Sequence, residues 1–232
     1  EGVIFEIGGE DNDAYFGGAL ALMPDVDGDG DPELVVGSPY LDSYSGSDAG
    51  AAYVYLSSEF EEEFTQSDYS LAYFGKASQE WAGAGVAAAD FSGDDVPELV
   101  VGSPGRTQGK DVLGGVYIFP GDLLSGEGEL EAIAEYGVVT LEGEDLGEGS
   151  VLSADADVDG DGLSDLLIQA PDAAMVYLML SGSLQPAFDS DKGMGAVLPL
   201  SDNATASLTS SASTDALGAA MAGVSLADGS EG

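Results

Sequence analysis

The chain has 232 residues, four basic and 44 acidic, for a formal net charge of −40. A field this one-sided repels nucleic acid and anionic membranes, and the absence of histidine and cysteine removes disulfides, the usual zinc ligand and any Ser-His or Cys-His nucleophile pair. The apolar content of 44% falls in short regular runs that can bury a core, and no apolar stretch approaches the ~18 residues of a membrane span.

The chain opens on Val3 to Ile7, an alternating run like Gly137 to Leu141 further on. Next comes a small-residue segment, Phe16 to Leu22, read as a strand able to pass close to a crowded axis. An acidic loop follows, with Asp25, Asp27, Asp29, Asp31 and Glu33 at alternate positions and Gly28 and Gly30 between them. The run Leu34 to Pro39 leaves the loop, Ala51 to Tyr55 makes a third strand and Tyr69 to Phe74 a fourth.

The same order then returns twice. Trp81 to Val86 leads into Asp90, Ser92, Asp94, Val96 and Glu98, then Leu99 to Pro104, Gly115 to Phe119 and Tyr136 to Leu141. Leu146 to Val151 leads into Asp157, Asp159, Asp161, Leu163 and Asp165, then Leu166 to Pro171, Ala174 to Leu178 and, less clearly, Gly195 to Leu200. The loops start 65 and 67 residues apart, and the prolines at 39, 104 and 171 keep the same spacing. Four short strands per unit, with turn signals between, predict an all-β fold and describe a β-propeller blade. The units run about 16–74, 81–141 and 146–200. Helical periodicity is absent except around Glu59 to Phe64.

Alternate acids on a tight turn make a cage for a hard cation. Calcium takes six to eight oxygens, so carboxylates at loop positions 1, 3, 5 and 9 with a carbonyl at 7 can wrap one ion. That assigns Asp25, Asp27, Asp29 and Glu33 with the Asp31 carbonyl in the first loop. It assigns Asp90, Ser92, Asp94 and Glu98 with the Val96 carbonyl in the second. In the third it assigns Asp157, Asp159, Asp161 and Asp165 with the Leu163 carbonyl, for about three Ca²⁺ in all. A plain Asp/Gly-rich turn would explain one such loop, but not three in register, each closed by an acid. An EF-hand would need a Glu at position 12 and flanking helices. Val36, Val101 and Ile168 stand there instead, inside strand-like runs.

The combined pattern resembles the FG-GAP repeats of integrin α-subunit propellers. Phe16-Gly17 is the Phe-Gly element, drifting to Trp81-Ala82 and Leu146-Gly147. The Gly-Ala-Pro element becomes Gly37-Ser38-Pro39, Gly102-Ser103-Pro104 and Gln169-Ala170-Pro171. The resemblance covers residues 1 to 226. It implies Ca²⁺ in the hairpin between strands 1 and 2 of each blade, and a role in recognition or adhesion at the cell surface.

Integrin propellers have seven blades, and this chain supplies about three. Val3 to Ile7 reads as the outer strand of a preceding blade. Leu217 to Met221 restarts the first-strand element, and Asp228 opens a fourth loop, giving a partial unit 217–232. The chain therefore reads as an incomplete propeller from a longer parent, with open ends suited to self-association.

No catalytic constellation is visible, and the expectation is a non-enzymatic module outside the cell. Its partner would be a protein or, in a lectin-like alternative, a glycan; a third reading is a structural spacer. In an up-and-down blade the cation loops share one end with the 3–4 connections. Lys76 (a 4–1 connection) and Arg106 and Lys110 (a 2–3 connection) fall at the other end, a candidate partner face of three of the four basic residues. Integrin-like propellers meet their ligands on that face, as the resemblance implies.

Overall fold

The computed structural model describes residues 6–60, 64–108, 111–124, 128–129, 139–143, 147, 149–170, 174–188 and 197–209. In the first unit β1 (Ile7–Gly8) precedes β2 (Ala19–Met23), β3 (Glu33–Ser38), β4 (Ala51–Tyr55), β5 (Phe64–Thr65) and β6 (Leu71–Phe74). The second holds β7 (Val86–Ala89), β8 (Glu98–Gly102), the small hairpin β9 (Thr107–Gln108) and β10 (Asp111–Val112), then β11 (Gly115–Phe119), β12 (Gly128–Glu129) and β13 (Val139–Glu142). The third holds β14 (Leu152–Ala156), β15 (Asp165–Ala170), β16 (Met175–Met179), helix α1 (Ser181–Phe188), β17 (Val197–Pro199), helix α2 (Leu200–Asn203) and β18 (Ala206–Thr209).

Each unit builds one antiparallel meander of four strands: β2-β3-β4-β6, β7-β8-β11-β13 and β14-β15-β16-β18. The fold is all-β, and consecutive four-stranded sheets pack face to face as propeller blades do. The first strands begin later than the small-residue segments suggest. Gly17, Trp81, Gly83, Gly147 and Gly149 all take positive φ, so these segments turn, and the strands follow. Those turns are where neighbouring blades touch. A Cβ on Gly37 would meet the Gly83 carbonyl oxygen at 2.0 Å, and one on Gly102 would meet that of Gly149 at 1.9 Å. The glycine of the Gly-Ser-Pro element is there because two backbones meet at it.

A correction concerns Gly195 to Leu200. Within it, β17 does not close the third sheet but pairs in parallel with β13 of the second, Val197 opposite Thr140. The fourth strand of the third sheet is β18, Ala206 opposite Leu178. The same device recurs: β5 pairs in parallel with β1, and β12 with β6. Each unit's 3–4 connection thus reaches back and covers the outer edge of the strand that precedes it, satisfying backbone groups that an open edge would expose.

Two apolar layers join the sheets. Met23, Val35, Val54 and Tyr73 of the first interleave with Val86, Leu99, Tyr117 and Phe119 of the second. Val100, Val116, Ile118 and Leu141 interleave with Leu152, Leu166, Ile168 and Met179 of the third. Val86 and Ala88, which pair with Val101 and Leu99, are buried by the first sheet. Leu20 and Leu22 occupy the same places in the first sheet, opposite Val36 and Leu34, and remain 64% and 67% exposed. That face borders a cavity of about 310 Å³ lined by Ile7, Phe16, Leu20, Leu34, Val36 and Phe60. Helix α1, with Pro186 inside it, was not foreseen, whereas near Glu59 only a 3₁₀ turn, Ser57–Glu59, is described. The segments Val3 to Phe5 and Leu217 to Asp228, and Lys110, lie outside the described residues.

Candidate metal centre

The three acidic loops fold alike because the first aspartate organises its own turn. Asp25 accepts the N–H groups of Gly28 at 2.6 Å, Asp29 at 3.1 Å and Gly30 at 2.9 Å. Asp157 accepts those of Gly160, Asp161 and Gly162 at 2.7, 3.2 and 2.9 Å. Asp90 accepts those of Gly93 and Asp95 at 2.6 and 3.0 Å. Position 4 is left-handed in every loop, at Gly28, Gly93 and Gly160, and so is position 6, at Gly30, Asp95 and Gly162. Asp95 holds φ 67° there, in a region that favours glycine. The N–H of position 7 then donates to the carboxylate at position 5: Asp31 to Asp29, Val96 to Asp94 and Leu163 to Asp161, at 2.8, 2.9 and 2.8 Å.

The closing acid is the anchor. Glu33, Glu98 and Asp165 are buried and accept the N–H of position 2, from Val26, Phe91 and Val158, at 3.0, 2.7 and 2.6 Å. Glu33 also accepts from Ser57 N–H at 3.0 Å, and Asp165 from Ser181 N–H at 2.9 Å. Burial pushes the Glu98 carboxyl up to about 7, a rise the Phe91 N–H opposes.

Among the described residues, three groups bring carboxylate oxygens within 4.8 Å of one another: Asp25, Asp27 and Asp29; Asp90, Asp94 and Glu98; Asp157, Asp159 and Asp165. The first group forms without Glu33 and the third without Asp161. Ser92 stays in its loop, its hydroxyl donating to Asp90 at 3.3 Å. All-oxygen donors on a turn locked by its own backbone suit a hard divalent cation such as calcium, and do not suit metals that prefer nitrogen or sulfur.

Sequence reasoning missed a set of residues on the 3–4 connections. Ser57 and Ser58 donate hydroxyl hydrogens to Asp29 at 3.0 Å and Asp27 at 2.8 Å. Ser181 donates to Asp161 at 3.2 Å. The signal was present: Ser57 and Ser181 each stand two residues past the third strand, as Gly121 does in the second unit.

Two of the three expected basic residues come together, at the end of the blades opposite the acidic loops. The Lys76 ammonium sits 5.9 Å from the Tyr73 ring centre and 5.6 Å from that of Tyr117, and the Arg106 guanidinium 5.9 Å from Tyr117. Arg106 also pairs with Glu142 at 3.1 Å. Exposed Tyr15, Tyr40 and Tyr44 lie at the same end, in the turn before β2 and in the β3–β4 connection.

The model of the FG-GAP repeat matches residues 16–55 and 82–119, which contain the first two loops. The chain is 29% identical to integrin alpha-4 of Xenopus laevis over 72% of its own length and 15% of that protein's. It is 31% identical to integrin alpha-PS2 of Drosophila melanogaster, over 77% of this chain and 13% of that one. A phosphatidylinositol-glycan-specific phospholipase D of Bos taurus is 34% identical over 38% of this chain and 10% of its own. The chain thus spans about a seventh of the length of the integrin subunits it matches. The FG-GAP repeat is thus present in two of its sheets, and the chain is similar to integrin α subunits over about three quarters of its own length.

Proposed function

We propose that this protein is a calcium-binding, integrin-like propeller module that serves recognition or adhesion outside the cell or at its surface, and that it is not an enzyme. The observation that carries the calcium reading is the shared register of the three loops, each gathering carboxylate oxygens within 4.8 Å on a turn held by its closing acid. Those carboxylates repel one another in a chain of net charge −40, and a bound divalent cation relieves that repulsion. Asp25, Asp27, Asp29 and Glu33, Asp90, Ser92, Asp94 and Glu98, and Asp157, Asp159, Asp161 and Asp165 would hold the ions, with the carbonyls of Asp31, Val96 and Leu163. Calorimetric titration of chelator-stripped protein at about 0.15 M salt tests this. About three calcium ions should bind, and no heat and no retained ion would refute it.

Partner binding belongs to the opposite end, where Lys76 and Arg106 meet the tyrosines and where Lys110 is expected. A protein ligand is the first reading. The exposed Tyr15, Tyr40 and Tyr44 favour a glycan as the second, because aromatic faces stack on sugar rings. A glycan array run beside a pull-down of surface proteins separates the two. The exposed Leu20 and Leu22 make self-association a further property of the isolated chain. The phospholipase similarity carries no activity across, since the chain spans 10% of that enzyme. Among the described residues no helix is long and apolar enough to cross a membrane.

A further inference from the structure

Helix α1 touches two cation loops at once. Its first residue, Ser181, grips the third loop, donating its N–H to Asp165 at 2.9 Å and its hydroxyl to Asp161 at 3.2 Å. One turn later the Gln185 side-chain amide crosses to the second loop and donates to the carbonyls of Phe91, at 3.4 Å, and Ser92. Phe91 is the residue whose N–H holds Glu98, so Gln185 and the closing acid grip opposite sides of one stretch of backbone. The helix is seated by Leu184 and Ala187, buried in the same apolar layer as Phe91. The loops also touch directly: a Cβ on Gly93 would lie 3.3 Å from the Leu163 side chain, and Leu163 is position 7 of the third loop.

We infer that α1 is a brace coupling the second and third cation sites, with Gln185 as the positioning residue that carries loading of the third loop to the second. This rests on the calcium reading above. The physical reason is that the Asp161 and Asp165 carboxylates receive Ser181 in the same arrangement that gathers the third loop's acids. A cation there stiffens the start of α1, and a stiffer helix presents Gln185 to the second loop at a lower entropic cost. Coupling between binding sites is reciprocal, so loading the second loop must favour the third by the same factor. Gln185 reaches no part of the first loop, which should titrate independently.

Nuclear magnetic resonance on the full chain tests the idea, because the Gly28, Gly93 and Gly160 amides each donate to the first aspartate of their own loop and report the loops separately. Calcium is titrated into the natural protein, Gln185→Met, a third-loop knockout (Asp157→Ala with Asp159→Ala) and the combination. Gln185→Met keeps the side chain's length and the buried helix face while removing the amide. Knocking out the third loop should shift the Gly93 midpoint to about fivefold higher calcium, leave Gly28 unmoved, and have little further effect once Gln185 is Met. Ser181→Ala should give a smaller shift in the same direction. If the Gly93 midpoint ignores both the knockout and Gln185→Met while the amides still respond to calcium, the coupling is wrong and the metal reading stands. If no glycine amide responds to calcium, the metal reading itself fails and the coupling falls with it.

Discussion

The Tyr117 hydroxyl donates to the Glu80 carboxylate at 2.9 Å, tying the third strand of the second sheet to the turn that arrives from the first. Glu80 is buried and also accepts the N–H groups of Lys76 at 2.7 Å and Ala77 at 3.0 Å. Tyr73 packs against Tyr117 with ring centres 5.2 Å apart and planes tilted by 51°, and burial raises both phenols well above their ordinary range. Lys76 and Arg106 cover this pair from above. Part of the basic cluster therefore has a structural task, closing the seam between two blades, beside any part in binding.

Glu80→Ala would leave a buried phenol and two backbone N–H groups without their acceptor. It should lower stability by about 2–3 kcal/mol, read as an earlier midpoint in urea unfolding. Tyr117→Phe removes one hydrogen bond and leaves the ring, so about 1 kcal/mol is expected. Equal midpoints for Glu80→Ala and the natural chain would show that the bond does not hold the seam.

Calcium should act as a staple in a chain that has no cysteine. At a hundredfold excess over its Kd, each filled site adds about 2.7 kcal/mol. Chelation should therefore lower Tm by many degrees, and millimolar calcium should restore it. A melting curve unchanged by EDTA would contradict the staple.

The second loop should bind most weakly. It has Ser92 where its sisters have Asp27 and Asp159, and Asp95 in a left-handed conformation at φ 67°. Ser92→Asp should tighten it several-fold by adding a ligand charge. Asp95→Gly should stabilise the calcium-free protein by about 0.5–1 kcal/mol, relieving backbone strain. Single-loop knockouts in calorimetry rank the sites, and three equal affinities would count against the ordering.

Leu20 and Leu22 present the face that Val86 and Ala88 bury in the next sheet. Leu22→Asp should suppress concentration-dependent association in sedimentation experiments while leaving Tm within a few degrees, because the residue is already in water. Association that persists in Leu22→Asp would place the contact elsewhere.

The repeat, the β class and the chemistry of the loops were legible in the residues alone. Those depend on local spacing: the acids of each loop accept backbone N–H groups within seven residues, and a branched apolar run behind a closing acid has little choice but to enter a sheet. The left-handed turn at Asp95 was legible for the same reason, since its sisters are Gly30 and Gly162. Tertiary structure decided whatever depends on a neighbouring blade. Val197–Pro199 is a strand in its own right, yet only the exposed edge of β13 made it an outer strand of the second sheet. Gly37 and Gly102 look like turn residues until the backbones of Gly83 and Gly149 are placed against them. Lys76 and Arg106 lie thirty residues apart in sequence, and one ring, Tyr117, brings them together. Gln185 carries no local signal because its partners are 93 and 94 residues away. A single unit specifies a cage and its anchors, and the packing of one unit on the next adds the Gln185 amide to the second loop.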